Sequence, residues 1–300
     1  MLRRDLLLGI ALLALVLGGL YIYTGTWPPA VIVESGSMMH ADSEVTYGRI
    51  GTIDPGDLVL VKHVKGPEDV GTLVEGSRGS YGKPGDVLIY HPGGDAAATP
   101  IIHRALAYIE VRPGPLYWVR WSDEAPCEGG ASKARDEGHS WCVYAGNGVL
   151  VPSASLGVPG PGGSLQPYRP QATGFVTKGD HNAYIDPVGP ISHDAQGRPS
   201  PVLAGWIEGK ARGELPWLGL VKLALAGKPN QPDPPADWTK VGSAYAPRDL
   251  WVMLAVSLGL LVGAPLGWDA WRALQRRRRS REPVPSQGAK PQERGPPPGT

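Results

Sequence analysis

Two long apolar stretches, one near each end of the 300-residue sequence, constrain this chain most strongly. Residues 6–23 and 250–268 contain no charged side chain, and each is close to the roughly 20 residues with which a helix crosses a bilayer. Tryptophans lie at the edges of the second stretch, where they anchor helices at a membrane interface. The sequence therefore predicts a transmembrane anchor over residues 1–24 and a second transmembrane helix over residues 248–269.

Each stretch also has a plainer interpretation. Arg3 and Arg4 ahead of the first resemble the charged start of a cleaved secretory signal peptide. The apolar run is long for such a peptide, however, and no clean Ala-x-Ala cleavage site follows it, so we expect an uncleaved anchor. The second stretch could instead be the buried core helix of a soluble domain. Pro265 near its end is compatible with a transmembrane helix.

The flanking charges predict the orientation of the two helices. Arg3 and Arg4 precede the first, and an arginine run follows the second: Arg276, Arg277, Arg278, Arg279 and Arg281. Because cytoplasmic flanks carry the excess of Lys and Arg, we expect a two-span protein of the cell membrane with both termini cytoplasmic. An arginine run can also mark nuclear targeting or a nucleic-acid patch. Its place after an apolar stretch favours the membrane interpretation, and a net charge of +1 gives no overall attraction to nucleic acid.

The segment between the helices has the pattern of an antiparallel all-β domain. Short β-branched runs alternate with turns rich in the chain's 42 glycines and 32 prolines, without a long amphipathic helix. We expect this extracytoplasmic domain over residues 25–223, with an insertion at about 112–171, a Pro-rich linker over 224–247 and a basic, disordered tail over 270–300. The predicted strands are 31–34, 57–65, 86–90, 101–111, 117–121, 141–145, 175–177 and 202–210.

The only two cysteines, Cys127 and Cys142, both fall within the predicted insertion. An oxidising compartment favours a disulfide between them. Two free thiols are the alternative, because a sequence does not give the geometry that a disulfide requires.

Ser37 is the first candidate for a chemical role. It follows Gly36 after a β-branched run close to the first apolar stretch, where a serine is ordinarily just a turn residue. To act as a nucleophile, its hydroxyl needs a base that takes its proton. His103, in the apolar run of residues 100–106, is the candidate base, although a lone histidine on a strand is commonly a core residue.

The other histidines are less suitable as the base. His40 is close to Ser37 in sequence, but such a neighbour on a turn seldom points back at it. His91 directly precedes a proline, and His139 and His193 lie in polar loops.

An acid would complete the site by fixing the imidazole tautomer and stabilising the imidazolium. Asp180 and Asp186 are the candidates, and each could equally cap a turn. The sequence contains no His-x-x-x-His or Cys-x-x-Cys spacing, so we expect neither a metal nor a cofactor.

Four motifs in chain order resemble the type I signal peptidases, specifically their archaeal and endoplasmic-reticulum branch. That branch carries histidine where the bacterial enzymes carry a catalytic lysine. The motifs are Glu34-Ser35-Gly36-Ser37-Met38, Gly85-Asp86-Val87-Leu88, Ile102-His103-Arg104 and Thr177-Lys178-Gly179-Asp180-His181-Asn182. A later stretch, residues 209–219, also looks like that branch, and the likeness covers roughly residues 5–110 and 172–222.

The resemblance implies a signal-peptidase-like fold and a Ser-His-Asp mechanism. Ser37 would be the nucleophile, and His103 the general base and then the general acid. Asp186 would be the essential carboxylate and Asp180 a supporting one. The Ser37 backbone N–H, with the Ser35 hydroxyl, would stabilise the oxyanion. The residues themselves leave open which aspartate completes the triad.

Substrates and partners follow from the same resemblance. The enzyme would cut secretory preproteins after small residues such as Ala, with membrane lipid around its helices and the Sec translocon as a candidate partner. Two departures bear on the substrate groove. The family usually has proline where His40 stands, and residues 41–48 make a longer connection than usual.

Three other interpretations compete with this one. A bacterial-type Ser/Lys peptidase would need a lysine in place of His103, and Lys62 and Lys178 are the nearest candidates. A LexA-like self-cleaving regulator shares the fold but has no need of two membrane spans. A non-catalytic envelope or scaffold protein would keep the anchors and lack activity.

Overall fold

Eleven antiparallel strands and three α-helices lie in the part of the chain that the structure describes. The computed structural model describes residues 2–40, 51–114, 116–128, 130–146, 149–152, 165–182, 184–189, 191–225, 246 and 248–279. The predicted all-β architecture with an apolar helix at each end is confirmed at this level. Most of the predicted linker (226–245), the end of the predicted tail (280–300) and the long connection within residues 41–50 lie outside the described residues.

The two terminal helices are long and apolar enough to cross a membrane. Helix α1 is Leu2–Thr24 and helix α3 is Arg248–Arg279. Their apolar spans, Leu6–Thr24 and Asp249–Arg276, have mean hydropathies of 2.4 and 2.0. Helix α3 continues past the predicted end at residue 269 into what was expected to be a disordered tail. The Ala, Leu, Gln and Arg residues there are all good helix formers.

Most of the described strands belong to a single sheet. The strands are β1 (Ala30–Ile32), β2 (Leu58–Lys62), β3 (Val87–Tyr90), β4 (Ile101–Arg112), β5 (Leu116–Trp121), β6 (Ser132–Asp136), β7 (His139–Ala145), β8 (Val149–Pro152), β9 (Leu165–Tyr168), β10 (Gly174–Lys178) and β11 (Ile207–Leu215). Nine of them form the main sheet, in the order β1-β2-β11-β3-β4-β5-β7-β6 with β10 also paired to β4, and β8 pairs with β9 separately.

The predicted strands recur with shifted ends, and three strands escape prediction. Strand β11 begins only at Ile207, because Ala204–Trp206 form a 3-10 turn. Strands β6, β8 and β9 were not expected, since β6 is polar and exposed and β9 lies in a stretch rich in Gly and Pro. Strands β5, β7 and β6 of the predicted insertion continue the main sheet beyond β4.

The chain divides into two units, Met1–Leu254 and Ala255–Thr300. The first holds the sheet, α1, the short helix α2 (Leu220–Leu225) and the first turns of α3, where Leu250 and Leu254 pack with Leu220 and Leu223. The described part of the second unit is the remainder of α3, in which Arg272 lies over the ring of Trp268.

Buried side chains of the sheet support the segment that carries the serine. Val33 and Met38 pack with Val59, Val61 and other apolar residues in one core cluster. A second cluster joins the insertion strands to the centre of the sheet through Cys142, Leu106 and Val176. Cys142 is bonded to Cys127 in a disulfide. Burying each large apolar side chain contributes about 1.5–3 kcal/mol, so these clusters anchor both ends of the sheet.

Candidate active site

Ser37 lies in a tight turn just after strand β1. The Met39 N–H donates to the Gly36 carbonyl at 3.1 Å. The side chains of Met38 and Met39 are buried, whereas the serine hydroxyl faces a cleft. The turn is thus held by its apolar neighbours, and Ser37 itself is only 7% exposed.

His103 is the hydrogen-bond partner of the serine. It lies on strand β4 opposite Leu88 of β3, and its Nε2 is 3.0 Å from the Ser37 Oγ. On the other side of the ring, its Nδ1 is 2.7 Å from Asp186 Oδ2. Because a carboxylate only accepts, Nδ1 carries the proton, and Nε2 is left to accept the Ser37 O–H.

Asp186 is fixed in place by two hydroxyl groups. The Thr177 hydroxyl donates to its Oδ2 at 2.6 Å and the Tyr90 hydroxyl at 2.9 Å. Its own N–H donates to the Thr177 carbonyl. Burial first, and then the charge of Asp186, raises the pKa of Tyr90 well above its ordinary value, so this phenol remains a donor at neutral pH. The structure thus brings Ser37, His103 and Asp186 together in series.

Asp180 lies close by but belongs to a different network. Arg104, the residue after His103, donates Nε and Nη2 to its two oxygens at 2.8 Å each. His40 Nε2 is also 2.8 Å from Asp180 Oδ2. Burial alone would raise the pKa of this carboxyl, but the hydrogen bonds from Arg104 and His40 outweigh it and lower the pKa to about 2. Asp180 thus forms a buried ion pair with Arg104.

The predicted oxyanion residues border the same space. Ser35 Oγ is 3.3 Å from Ser37 Oγ, and both residues line a cleft of about 210 Å³. The cleft is lined by residues 32–35, 37–38, 99–103, Asn182 and Ile191. The lining is mainly apolar.

The two candidate lysines do not bond to the serine. Lys62 Nζ donates to the Tyr23 carbonyl at the end of α1. Lys178 is fully buried, and its Nζ has no hydrogen-bond partner in the described part of the chain. Burial lowers the pKa of Lys178 to about 8.

Sequence reasoning assigned no role to Tyr90, Thr177, Arg104 or Asn182. Asn182 Nδ2 is 3.5 Å from His103 Nε2 and lines the cleft. All four lie inside or next to the motifs that carry the serine, the histidine and the aspartates. Their position in those motifs was therefore the available signal, but their contacts across the sheet were not readable from it.

No protein-family model, curated protein or solved structure matches this chain.

Proposed function

We propose that this chain is a membrane-anchored serine endopeptidase that removes signal peptides from exported preproteins. Its fold and Ser-His-Asp centre would be of the type found in archaeal and endoplasmic-reticulum type I signal peptidases. The observation that carries the proposal is the hydrogen-bonded series Ser37, His103 and Asp186 beside an apolar cleft. It is the arrangement with which a serine becomes a nucleophile near neutral pH.

The chemistry follows from the hydrogen bonds. Ser37 Oγ attacks the scissile carbonyl carbon as His103 Nε2 takes the hydroxyl proton. The imidazolium then gives that proton to the leaving amine as the C–N bond breaks, which leaves an acyl ester on Ser37. Water deprotonated by the same nitrogen hydrolyses the ester. Throughout, Asp186 accepts from Nδ1 and stabilises the positive ring.

The developing oxyanion needs donors on the cleft side of the nucleophile. The Ser35 hydroxyl and the Ser37 backbone N–H are the groups we assign to it. Ser35 lines the cleft with its Oγ 3.3 Å from Ser37 Oγ, and its hydroxyl would rotate from that oxygen to donate to the oxyanion. Removing one such donor in a serine protease costs about 10²–10³ in kcat.

A small residue before the cut bond, such as alanine, is what the family resemblance implies. Met38, Val33 and Ile102 line the cleft in which that residue would bind. Signal peptides present short residues of this kind beside an apolar segment. The apolar lining would bind that segment by removing its surface from water.

The link between the first helix and the sheet supports a substrate that leaves the membrane. The His63 N–H donates to the Thr24 carbonyl at 2.8 Å, directly after strand β2. Strand β2 pairs with β1, which leads into the Ser37 turn. The nucleophile is thus tied through two paired strands to the end of α1, so a bond cut here would lie near the membrane surface.

We assign the sheet to the extracytoplasmic side of the cell membrane, with both termini in the cytoplasm. The proposal rests on the arginines that flank the apolar spans. Preproteins would be the substrates and membrane lipid the surrounding medium, with the Sec translocon as the source of substrate. No cofactor takes part in the chemistry.

The first test is cleavage of a model preprotein by the detergent-purified full chain. We expect the wild type and a Ser122→Ala control to cleave after a small residue, since Ser122 lies in a loop outside the cleft. Ser37→Ala should lose several orders of magnitude in rate. No cleavage by the wild type would favour a scaffold protein, and cleavage by Ser37→Ala would overturn the nucleophile.

A further inference from the structure

Two hydrogen bonds tie the serine turn to the loop after strand β10. The His181 N–H donates to the carbonyl of Ser37 itself at 2.9 Å. Three residues after the serine, His40 Nε2 lies 2.8 Å from Asp180 Oδ2. The imidazole of His40 is 15% exposed and packs beside Gly82. The turn is therefore held both at the nucleophile and at its far end.

Asp180 is a firm anchor for this second bond. Its carboxylate is fully buried and paired with both Nε and Nη2 of Arg104. The Arg104 Nη1 in turn donates to the carbonyls of Ser80, Lys83 and Gly85 at 2.7–2.9 Å. Planar, bidentate Arg–carboxylate pairs hold their geometry closely. A group that is bonded to Asp180 is therefore held in a fixed position relative to the sheet, because Arg104 lies on strand β4.

The serine turn and the loop after strand β10 are packed so closely that there is no room for an added side-chain atom at Gly179. A Cβ on Gly179 would lie 2.6 Å from the Ser37 carbonyl oxygen and 2.8 Å from His103 Nε2. The loop backbone therefore touches the nucleophile's residue and its base at once. A small shift of the turn would change the 3.0 Å separation of Ser37 Oγ and His103 Nε2.

We propose that His40 is a positioning residue, which holds Ser37 in line with His103 by hydrogen bonding to Asp180. A proline, usual at this position in the resembling family, would restrict the turn through its own backbone. In this chain the hydrogen bond from the His40 side chain to Asp180, which is paired with Arg104, restricts the turn instead. The inference rests on the proposed function, because it concerns the same nucleophile.

The test compares three changes at His40 in the full-length protein. His40→Ala should lower kcat about tenfold with KM nearly unchanged, because misplacing a nucleophile affects the reaction more than substrate binding. His40→Gln should restore most of kcat, because its amide nitrogen is as many bonds from the backbone as Nε2. His40→Asn, one bond shorter, should not. His91→Ala is the matched control, since His91 faces Glu208 and lies outside the cleft lining.

A second measurement does not depend on activity. Hydrogen exchange of the amides at residues 179–182 should be faster in His40→Ala than in the wild type or His91→Ala. If the wild type cleaves nothing, the proposed function fails while the exchange data still decide whether His40 holds the loop. Unchanged exchange and unchanged kcat in His40→Ala would overturn the inference, as would a His40→Gln variant no better than His40→Ala.

Discussion

Asp186 and His103 lie 2.7 Å apart, Oδ2 to Nδ1, and both side chains are buried. The aspartate comes from the loop after β10 and the histidine from β4, two strands that pair antiparallel. Thr177 and Tyr90 donate to the same oxygen. The acid is thus held by three donors, one of which is the imidazole that it orients.

Replacing Asp186 and replacing Asp180 by asparagine should have different effects on kcat and Tm. Asp186→Asn keeps the shape but places an amide against His103 Nδ1, which favours the wrong tautomer. In a serine protease triad this change lowers kcat about 10⁴-fold. Asp180→Asn breaks a buried ion pair with Arg104, which typically costs about 3–5 kcal/mol of stability. We expect kcat loss at little change in Tm for the first, and a lower Tm with a milder kcat loss for the second. An inactive but stable Asp180→Asn beside a nearly normal Asp186→Asn would reverse the roles.

Gly179 should be intolerant of even one methyl group. An added Cβ would meet the Ser37 carbonyl oxygen, Asn182 Nδ2 and His103 Nε2 at 2.6–2.8 Å. Gly179→Ala should therefore push the base away from the nucleophile and reduce kcat by about 10²-fold. Gly205→Ala is the control, since a Cβ there meets nothing within 4 Å. Preprotein cleavage at saturating substrate measures the difference, and equal kcat values would show that the contact is not maintained in solution.

Lys178 separates a Ser-His-Asp mechanism from a Ser/Lys one. Lys178→Met retains the apolar stem and removes a buried amino group that has no hydrogen-bond partner in the described part of the chain. Because desolvation disfavours that group, Tm at pH 7 should rise. Cleavage should persist within about tenfold, whereas loss of a general base costs several orders of magnitude. Lys62→Met is the parallel test of the other candidate. If the Lys178→Met variant folded normally but were inactive, Lys178 and not His103 would be the general base.

Asp57 makes the stability of the domain depend on pH. Burial, helped by the nearby carboxylates of Asp54 and Glu214, raises its pKa from 3.8 to about 8. Between these values the unfolded chain releases a proton that the folded protein keeps, so stability falls as pH rises from about 4 to about 8. Asp57→Asn removes this slope. We expect Tm to fall less between pH 5 and pH 8 in Asp57→Asn than in the wild type.

The control for Asp57 is another aspartate replaced in the same way. Asp95 is exposed, and Asp95→Asn should leave the pH dependence of Tm as it is in the wild type. Asp57→Asn also alters hydrogen bonds to the N–H groups of Asp54 and Trp217, which changes Tm at every pH. The slope of Tm against pH is therefore the quantity to compare. Parallel curves for Asp57→Asn and the wild type would contradict the raised pKa.

Local patterns in the sequence determined the terminal helices and most strands of the sheet. Charge-free apolar runs of helical length predict α1 and the start of α3, because a bilayer-crossing helix needs only length and hydropathy. β-Branched runs between Gly and Pro turns predict β2, β3 and β4 for the same local reason. Such patterns do not predict the polar strand β6, because β6 forms by pairing with strand β7 and its own residues show no apolar pattern.

The candidate site was predicted only in part. Serine, histidine and two aspartates were identified as residue types, but the sequence left open which aspartate faces the imidazole. Tertiary structure decided it, because the pairing of β10 with β4 brings residue 186 to His103 and residue 180 to Arg104. The bond between His40 and Asp180 was invisible for the same reason, since its partners are 140 positions apart. A hydrogen bond depends on the distance between two atoms in the folded chain. The number of residues between its two partners in the sequence does not determine that distance.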